Sequence, residues 1–464
     1  MKILLSILIF GLFVQLASAQ IFDVDTIQYT GPIDNRINLV ILGDGYQKSE
    51  LSKLLIDANN FSSGFFSERP YAEYQNYFNV FVIKVPSNES GASHPRTGSD
   101  NHDFPDFQPL LVVDNYFGST FDYNNIHRLL FPVNTTAITN VLASNFPSYD
   151  QVIIIVNSPY YGGSGGEYAA LSLHEQSTEL ALHELGHSFT DLADEYYAGD
   201  NWAQEKINMT QVTIPSVIKW NNWMYYNGIG IYRHCCGGNS SKWYRPHQSC
   251  KMRSLYEPLC SVCIEGTIEK IHSFVSPIDS FVPKNNEKLN LSTPTEFSLK
   301  LNKPNPNTLN IEWSLNGSII NNKDDTILID PNNLIPGLNH LQAVVEDGTS
   351  LLRIDNHETV HVYSVVWIMD SSTLSIVDVS EEHLKIELYP NPTNNILNIN
   401  MSGDLGDEIL ITVFNIAGIE LLNKRVKRGL APMELNLQNL TTGVYILKFQ
   451  LSSSHVITRK IIKE

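Results

Sequence analysis

Beyond its first 19 residues this 464-residue chain has no long apolar run. A transmembrane helix needs roughly 18 uninterrupted apolar residues, so a membrane-spanning segment is excluded past the leader and a soluble mature product is expected. Positive charge is scarce too: 31 Lys and Arg face 49 Asp and Glu, a formal net charge of −18. Nucleic-acid phosphates demand a basic footprint, so nucleic acid is excluded as a partner. The one dense basic run, Lys424–Arg428, reads as a solvated strand face, with trypsin-like processing as the other reading. Cysteine is limited to five residues, all between Cys235 and Cys263, so the rest of the chain must hold its shape by packing alone. No internal repeat or low-complexity tract is present.

The chain opens on an export signal. Lys2, the apolar stretch Ile3–Leu16, and Ala17, Ser18 and Ala19 follow the charged, apolar, small-residue order of a cleavable secretory leader. The remaining length suits about three domains. Ile37–Leu42 and Gln151–Asn157 read as buried strands. Gly43-Asp44-Gly45 lacks the Walker lysine and the three-glycine dinucleotide spacing, so it reads as a tight turn. Between Ser276 and Met369, short alternating strands such as Glu296–Leu301 and Leu309–Leu315 fit an immunoglobulin-like sandwich packed around residues such as Trp313. Polar residues 370–384 read as a linker, and alternating strands in 385–464 as a second small sandwich.

The stretch Ala181–Tyr196 carries the chemistry, because it contains His-Glu-x-x-His as His183, Glu184 and His187. Residues four apart share a helix face, so both imidazoles can reach one ion at about 2.0–2.1 Å. Glu184 projects roughly 100° further round the helix, beside that ion, where a general base for a bound water belongs. Ser172 and Glu175 have capping-box spacing, and a helix is expected from about Leu173 to Thr190, with Leu173, Leu180, Leu185 and Phe189 on buried faces. His174-Glu175 begins the same motif, but Thr178 stands where its second histidine would be, so His174 reads as a first-turn polar residue.

Catalytic zinc takes three protein ligands and a water, so a third ligand must follow the helix. In the longer pattern His-Glu-x-x-His-x-x-Gly-x-x-His/Asp the helix stops at the glycine and the chain turns back. Here Thr190 holds the glycine position and Asp194 arrives one residue late, with Asp191 suited to a left-handed turn. Asp194 is the candidate ligand; Glu195 is the runner-up.

Four further features stay open from sequence. Tyr161–Gly166 reads either as an edge strand for an extended substrate or as a flexible loop. Asp100, Asp103 and Asp106 either bind calcium or face water. The clustered cysteines of an exported chain suit two disulfides and one thiol. Alternatively, Cys260-x-x-Cys263 with two others holds a structural zinc, His234 and His247 being reserves.

The run His183–Tyr196, with Gly43-Asp44-Gly45-Tyr46, Cys250-Lys251-Met252 and Cys260–Cys263, resembles the IgA-specific metalloendopeptidase family over roughly residues 25–273. That resemblance implies a zinc endopeptidase of metzincin-like α/β (α+β) fold, with His183, His187 and Asp194 at metal positions and Glu184 as catalytic acid/base. It does not imply that immunoglobulin A is the substrate. On the same analogy Met252 falls where metzincins carry a methionine in a turn beneath the zinc, the other reading being a gap-filling core methionine. Tyr256 is a weaker candidate for stabilising an oxyanion. Leu388–Ile399, Thr442–Phe449 and Thr458–Lys463 resemble the C-terminal sorting domain of type IX secretion cargo. That implies export across the outer membrane of a Gram-negative cell, with release or surface attachment.

The expected organisation is therefore a signal peptide (1–19), a zinc peptidase domain (20–273), an immunoglobulin-like sandwich (274–369), a linker (370–384) and a sorting domain (385–464), the last two domains all-β. The expected function is that of a secreted, monomeric Zn2+ endopeptidase acting on extracellular proteins or peptides, its tail engaging the secretion machinery. The competing expectation is a non-enzymatic surface adhesin with a structural or inert metal site.

Overall fold

The computed structural model describes residues 20–95, 110–353, 361–371, 385–402, 408–416, 418–427, 433–450 and 456–464. The leader, the calcium candidates Asp100, Asp103 and Asp106, and linker residues 372–384 lie outside the described residues. The chain forms two compact units, one running to Ser372 and the other from Thr373 to Glu464.

The first unit is built on a six-stranded sheet. In chain order its strands are β1 (Val24–Gln28), β2 (Ile37–Asp44), β3 (Phe78–Ile83), β4 (Gln151–Val156), β5 (Gly163–Ser164) and β6 (Ala169–Leu171), laid side by side as β1-β3-β2-β4-β6-β5. The inner four run parallel, and β1 and β5 are antiparallel at the two edges. Parallel strands covered on both faces read as unbroken apolar runs, which is why β2 is buried at every position. Ile37, Leu39 and Ile41 enter one core with Ile153 and Ile155; Val40 and Leu42 enter the other with Val152, Ile154 and Val156. The two-residue period of a strand thus feeds two cores at once.

Helices α1 (Leu51–Phe65), α3 (Ser177–Ser188) and α4 (Ser261–Phe274) supply the first core through Leu54, Phe61, Leu182, Leu185, Ile268 and Ile271. Helix α2 (Thr135–Asn145) supplies the second through Ile138, Val141 and Leu142. The turn after β2 is tight, as its sequence suggests. Gly45 has φ 71°, and the buried Asp44 carboxylate accepts the N–H groups of Gly45, Phe117 and Ser119, each at 3.0 Å.

Seven further strands of this unit form two facing sheets. One contains Ile278–Val282, Thr295–Leu301 and Thr326–Ile329; the other contains Ser318–Ile320, Leu309–Leu315, Leu338–Asp347 and Val362–Asp370. Trp313 stacks on Trp367 with centroids 5.8 Å apart in their shared core. This sandwich is bonded to the sheet domain through buried polar groups. Arg36 grips Asp279 with two nitrogens at 2.6 and 2.8 Å, and the Tyr77 hydroxyl donates to the Asn302 carbonyl at 2.9 Å. Asp347, 0 % exposed, accepts from the hydroxyls of Tyr74 and Thr308, both at 2.6 Å, and meets His272 Nε2 at 2.9 Å.

The second unit is also a pair of sheets, Lys385–Tyr389, Ile396–Ser402 and Met433–Asn436 against Glu408–Asn415, Glu420–Lys427, Gly443–Gln450 and Val456–Lys463. Ile411, Val413, Leu447 and Phe449 lie in its core. Lys424 and Arg425 are exposed on an edge strand, which fits the solvated-face reading of the basic run.

Removing the Asp347 carboxylate strands buried donors from three elements. Asp347→Ala should therefore lower unfolding stability by about 3 kcal/mol or more. Urea denaturation followed by tryptophan fluorescence checks this; an unmoved midpoint would show that the carboxylate does not bind the sandwich to its neighbour.

Candidate metal centre

Helix α3 begins at Ser177, later than its sequence suggests. Ser172 N–H still donates to the Gly162 carbonyl at 3.1 Å and Leu173 N–H to that of Ser158 at 2.8 Å, so these residues extend the sheet instead of opening the helix. The expected capping box does not form. Gln176 is the N-cap without a side-chain bond, and the Ser172 hydroxyl meets that of Ser177. His174 precedes the helix, its ring against Tyr161.

The far end stops as expected. Asp191 takes φ 62°, and its N–H donates to the His187 carbonyl at 3.2 Å, a left-handed helix cap. Leu192 N–H then returns to the Gly186 carbonyl at 2.9 Å. That reversal carries Asp194 back under the helix.

His183, His187 and Asp194 meet there. Asp194 Oδ1 lies 3.1 Å from His183 Nε2 and 3.2 Å from His187 Nε2, and the two Nε2 atoms are 3.2 Å apart. Each imidazole is held from behind by a carbonyl: His183 Nδ1 donates to Lys251 O at 3.1 Å, and His187 Nδ1 to Leu192 O at 2.8 Å. A carbonyl only accepts, so the ring protons sit on Nδ1 and the Nε2 lone pairs face one point. Three acceptor atoms crowded together require something positive between them. Donors about 2.0–2.1 Å from a tetrahedral centre sit about 3.3 Å apart, so the residues present fit a small divalent ion.

Without an ion, only histidines protonated on Nε2 could overcome the burial that raises the Asp194 carboxyl and hold it far below the usual carboxylate range; with both rings committed through Nδ1–H, that compensating charge has to come from a cation. Glu184 is pushed up by burial, against the pull of the two histidines. Its carboxylate fills space that only glycine leaves free, since a Cβ on Gly165 would fall 1.8 Å from Glu184 Oε2.

Glu195 turns the other way. Glu195 is 0 % exposed, with Oε1 accepting from Asn208 Nδ2 at 3.0 Å and lying 3.7 Å from Cys263 Sγ. Its N–H donates to the Met252 carbonyl at 2.7 Å. Met252 is fully buried in a turn closed by Arg253 N–H on the Cys250 carbonyl at 2.8 Å. Its sulfur lies under the helix between the two histidines, where a Cβ on Gly186 would come within 2.6 Å of Sδ.

Three sequence readings are narrowed. All five cysteines are free thiols, and Cys250, Cys260 and Cys263 gather around Glu195 without pairing, while Cys235 and Cys236 stand apart and neither His234 nor His247 joins the group. The edge strand β5 exists, but Gly163 already exchanges hydrogen bonds with Arg128 and Leu130, so a substrate strand cannot add at that residue. Tyr256 stands 67 % exposed, whereas the ring of Tyr196 lies 6.2 Å from that of His183. Neither Tyr196 nor Gly165 was legible, because the approach of Tyr196 to His183 and the contact of Gly165 with Glu184 exist only in three dimensions.

Residues 26–229 match the family described as IgA Peptidase M64. The match is to a peptidase family and takes in His183–Tyr196, but ends before Met252 and the buried thiols. Residues 387–464 match the secretion system C-terminal sorting domain, which marks the chain for secretion or cell-surface export. No helix among the described residues is long and apolar enough to cross a membrane. No curated protein matches the chain significantly. Solved structures resemble parts of it only distantly. Dimeric latent PorU from Porphyromonas gingivalis is 13% identical over 40% of this chain and 20% of its own, at a TM-score of 0.15. The fibronectin(III)-like modules of Clostridium thermocellum CbhA are 14% identical over 40% of this chain and 93% of theirs, at 0.14. A Parabacteroides merdae β-glucuronidase is 9% identical over 48% of this chain and 29% of its own, at 0.16. The chain thus spans only a fifth of PorU's length, and likenesses this slight carry no argument.

The turn at Asp191 makes a conformational prediction. Asp191→Gly should be tolerated, whereas Asp191→Val, β-branched at positive φ, should cost about 1–2 kcal/mol. Equal thermal stability of the two variants would show that this backbone geometry does not hold the chain reversal.

Proposed function

We propose that the chain is an exported zinc endopeptidase that cleaves extracellular proteins, with His183, His187 and Asp194 holding the ion and Glu184 moving the proton. The observation that carries this reading is the convergence of three lone-pair donors at 3.1–3.2 Å while both Nδ1 atoms are committed to carbonyls. Two imidazoles and one carboxylate are a donor set suited to zinc, and they leave one position for water. When bound, zinc polarises a scissile carbonyl and brings the pKa of a water down toward about 7.

Glu184 accepts that water's proton on a carboxylate oxygen and returns it to the leaving amine. Its withdrawal from solvent favours this work, because a carboxyl raised by burial binds a proton more readily than a solvated one. Tyr196 is 44 % exposed, and its phenol, pushed up to about 12 by partial desolvation and by the charges of Asp194 and Glu184, stays protonated at neutral pH and is available to donate to a substrate carbonyl as negative charge develops there.

The same reading takes 20–273 as a metzincin-like catalytic domain, 274–369 as an immunoglobulin-like module, 370–384 as a linker and 385–464 as a type IX sorting domain behind a cleaved leader, in a monomeric protein. The four parallel strands with antiparallel edges, the helix that bears the histidines and the methionine turn beneath it support the first assignment. The paired three- and four-stranded sheets support the second.

Glu184→Gln should keep its metal and lose about 10²–10⁴-fold in casein turnover; digestion at the wild-type rate would remove Glu184 from the chemistry. Gly165→Ala should displace the same carboxylate and lower turnover by about 10²-fold at unchanged thermal stability. Chelation should abolish digestion and zinc restore it, whereas a zinc-loaded chain that digests nothing would favour a surface-binding protein. Asp194→Ala should weaken zinc retention at the histidines by more than about 100-fold, beyond the loss of an outer partner, in a competition with a chromophoric chelator. Retention equal to wild type would exclude Asp194 as a ligand.

A further inference from the structure

Glu195 ends among thiols. Its Oε1 takes a hydrogen bond from Asn208, but Oε2 is buried with no partner. Cys250, Cys260 and Cys263 surround it, all buried: Cys263 Sγ lies 3.7 Å from Glu195 Oε1, 3.7 Å from Cys250 Sγ and 3.6 Å from Cys260 Sγ. The four donor atoms all fall within 4.8 Å of one another. Thiolates about 2.3 Å from a tetrahedral centre sit about 3.8 Å apart, and a thiolate and a carboxylate about 3.5 Å. We propose that Glu195, Cys250, Cys260 and Cys263 form a second zinc site, closed and structural, behind the histidine centre.

The alternatives leave the cluster unsatisfied. An orphaned buried acceptor is destabilising by about 1–3 kcal/mol, and more when charged. A disulfide between any two of the three sulfurs strands the third beside the carboxylate. A cation answers all four at once. Local structure also favours thiolates here: Cys260 is the N-cap of α4 and Cys263 lies in its first turn, where the helix N–H groups stabilise negative charge. Cys260 N–H donates to Cys250 Sγ at 3.4 Å, the outer bond expected of a ligand sulfur. The buried guanidinium of Arg245 acts electrostatically on both Glu195 and Cys250 and offsets part of the excess charge. Four protein donors leave no open position, which is the mark of a structural site.

Such an ion would brace the first centre. Glu195 is bonded in sequence to Asp194, and Cys250 begins the turn whose Lys251 carbonyl holds His183 and whose Met252 carbonyl holds Glu195. This coupling rests on the reading of the histidine centre given above; the second site itself does not.

Cobalt(II) substitution of the purified full chain tests the site. A thiolate-to-cobalt charge-transfer band in the near ultraviolet is expected in the wild type, retained in His187→Ala and lost in Cys263→Ser. Should the cysteine variant fail to fold, a mercurial thiol reagent applied to the native His187→Ala chain should release one equivalent of zinc to a chromophoric chelator. A wild type without the charge-transfer band, or a His187→Ala chain that holds no zinc, overturns the proposal. Because His187→Ala disables the first centre, failure of the peptidase reading leaves these outcomes unchanged. Zinc retention at the histidines should fall about 10–100-fold in folded Cys263→Ser, as for loss of an outer-shell support; unchanged retention would refute the coupling.

Discussion

Two backbone carbonyls on one buried turn organise the candidate centre. Lys251 O fixes the tautomer and tilt of His183, and Met252 O holds the N–H of Glu195, so the helix and the returning chain are referred to the same two adjacent residues. The turn is itself held from behind, since Met252 packs under Gly186 and the buried Lys251 ammonium is bonded to Glu179 and to the Leu255 carbonyl. A carbonyl accepting from Nδ1 leaves Nε2 with a free lone pair, and that decides which atom would face a metal ion. Neither histidine would be a committed ligand on an isolated helix.

The rest of the first unit supplies rigidity to that turn. Helix α3 lies against one face of a sheet whose inner strands are buried on both sides, and α4 packs in the same core, presenting Cys260 and Cys263 beneath Glu195. The adjoining sandwich is bonded to this body at Asp347, Arg36 and Tyr77 rather than merely tethered. Asp194 and Glu195 therefore sit on a short irregular segment between two stiff walls, Asp194 facing imidazoles and Glu195 sulfurs. The opposed directions of these two adjacent side chains allow one peptide segment to serve two clusters.

Local patterns were readable where the physics is local. The i, i+4 histidines, the left-handed tolerance of Asp191, the apolar runs at Ile37–Leu42 and Gln151–Asn157, and the strand Leu309–Leu315 all appear where the sequence suggests. The start of α3 was misread because Ser172 and Glu175 have capping-box spacing, while long-range bonds to Gly162 and Ser158 keep the chain extended there. The role of the glycine-rich edge stayed open in the sequence for the same reason, since Arg128–Leu130 covers Gly163 from a distant part of the chain. Cysteine count and export argued for disulfides, but no spacing rule reveals that a glutamate stands among the sulfurs.

The sequence by itself determined the candidate ligands, the candidate proton carrier, the export tail and the alternating elements, because each depends on residue type and on periods of two or four. Only the tertiary structure decided which of two adjacent carboxylates faces the histidines, which tyrosine stands beside them, and that three thiols converge on a buried acid. Those choices follow from how distant segments pack around the turn at Met252, because side-chain direction in an irregular segment is set by its neighbours rather than by its own residues.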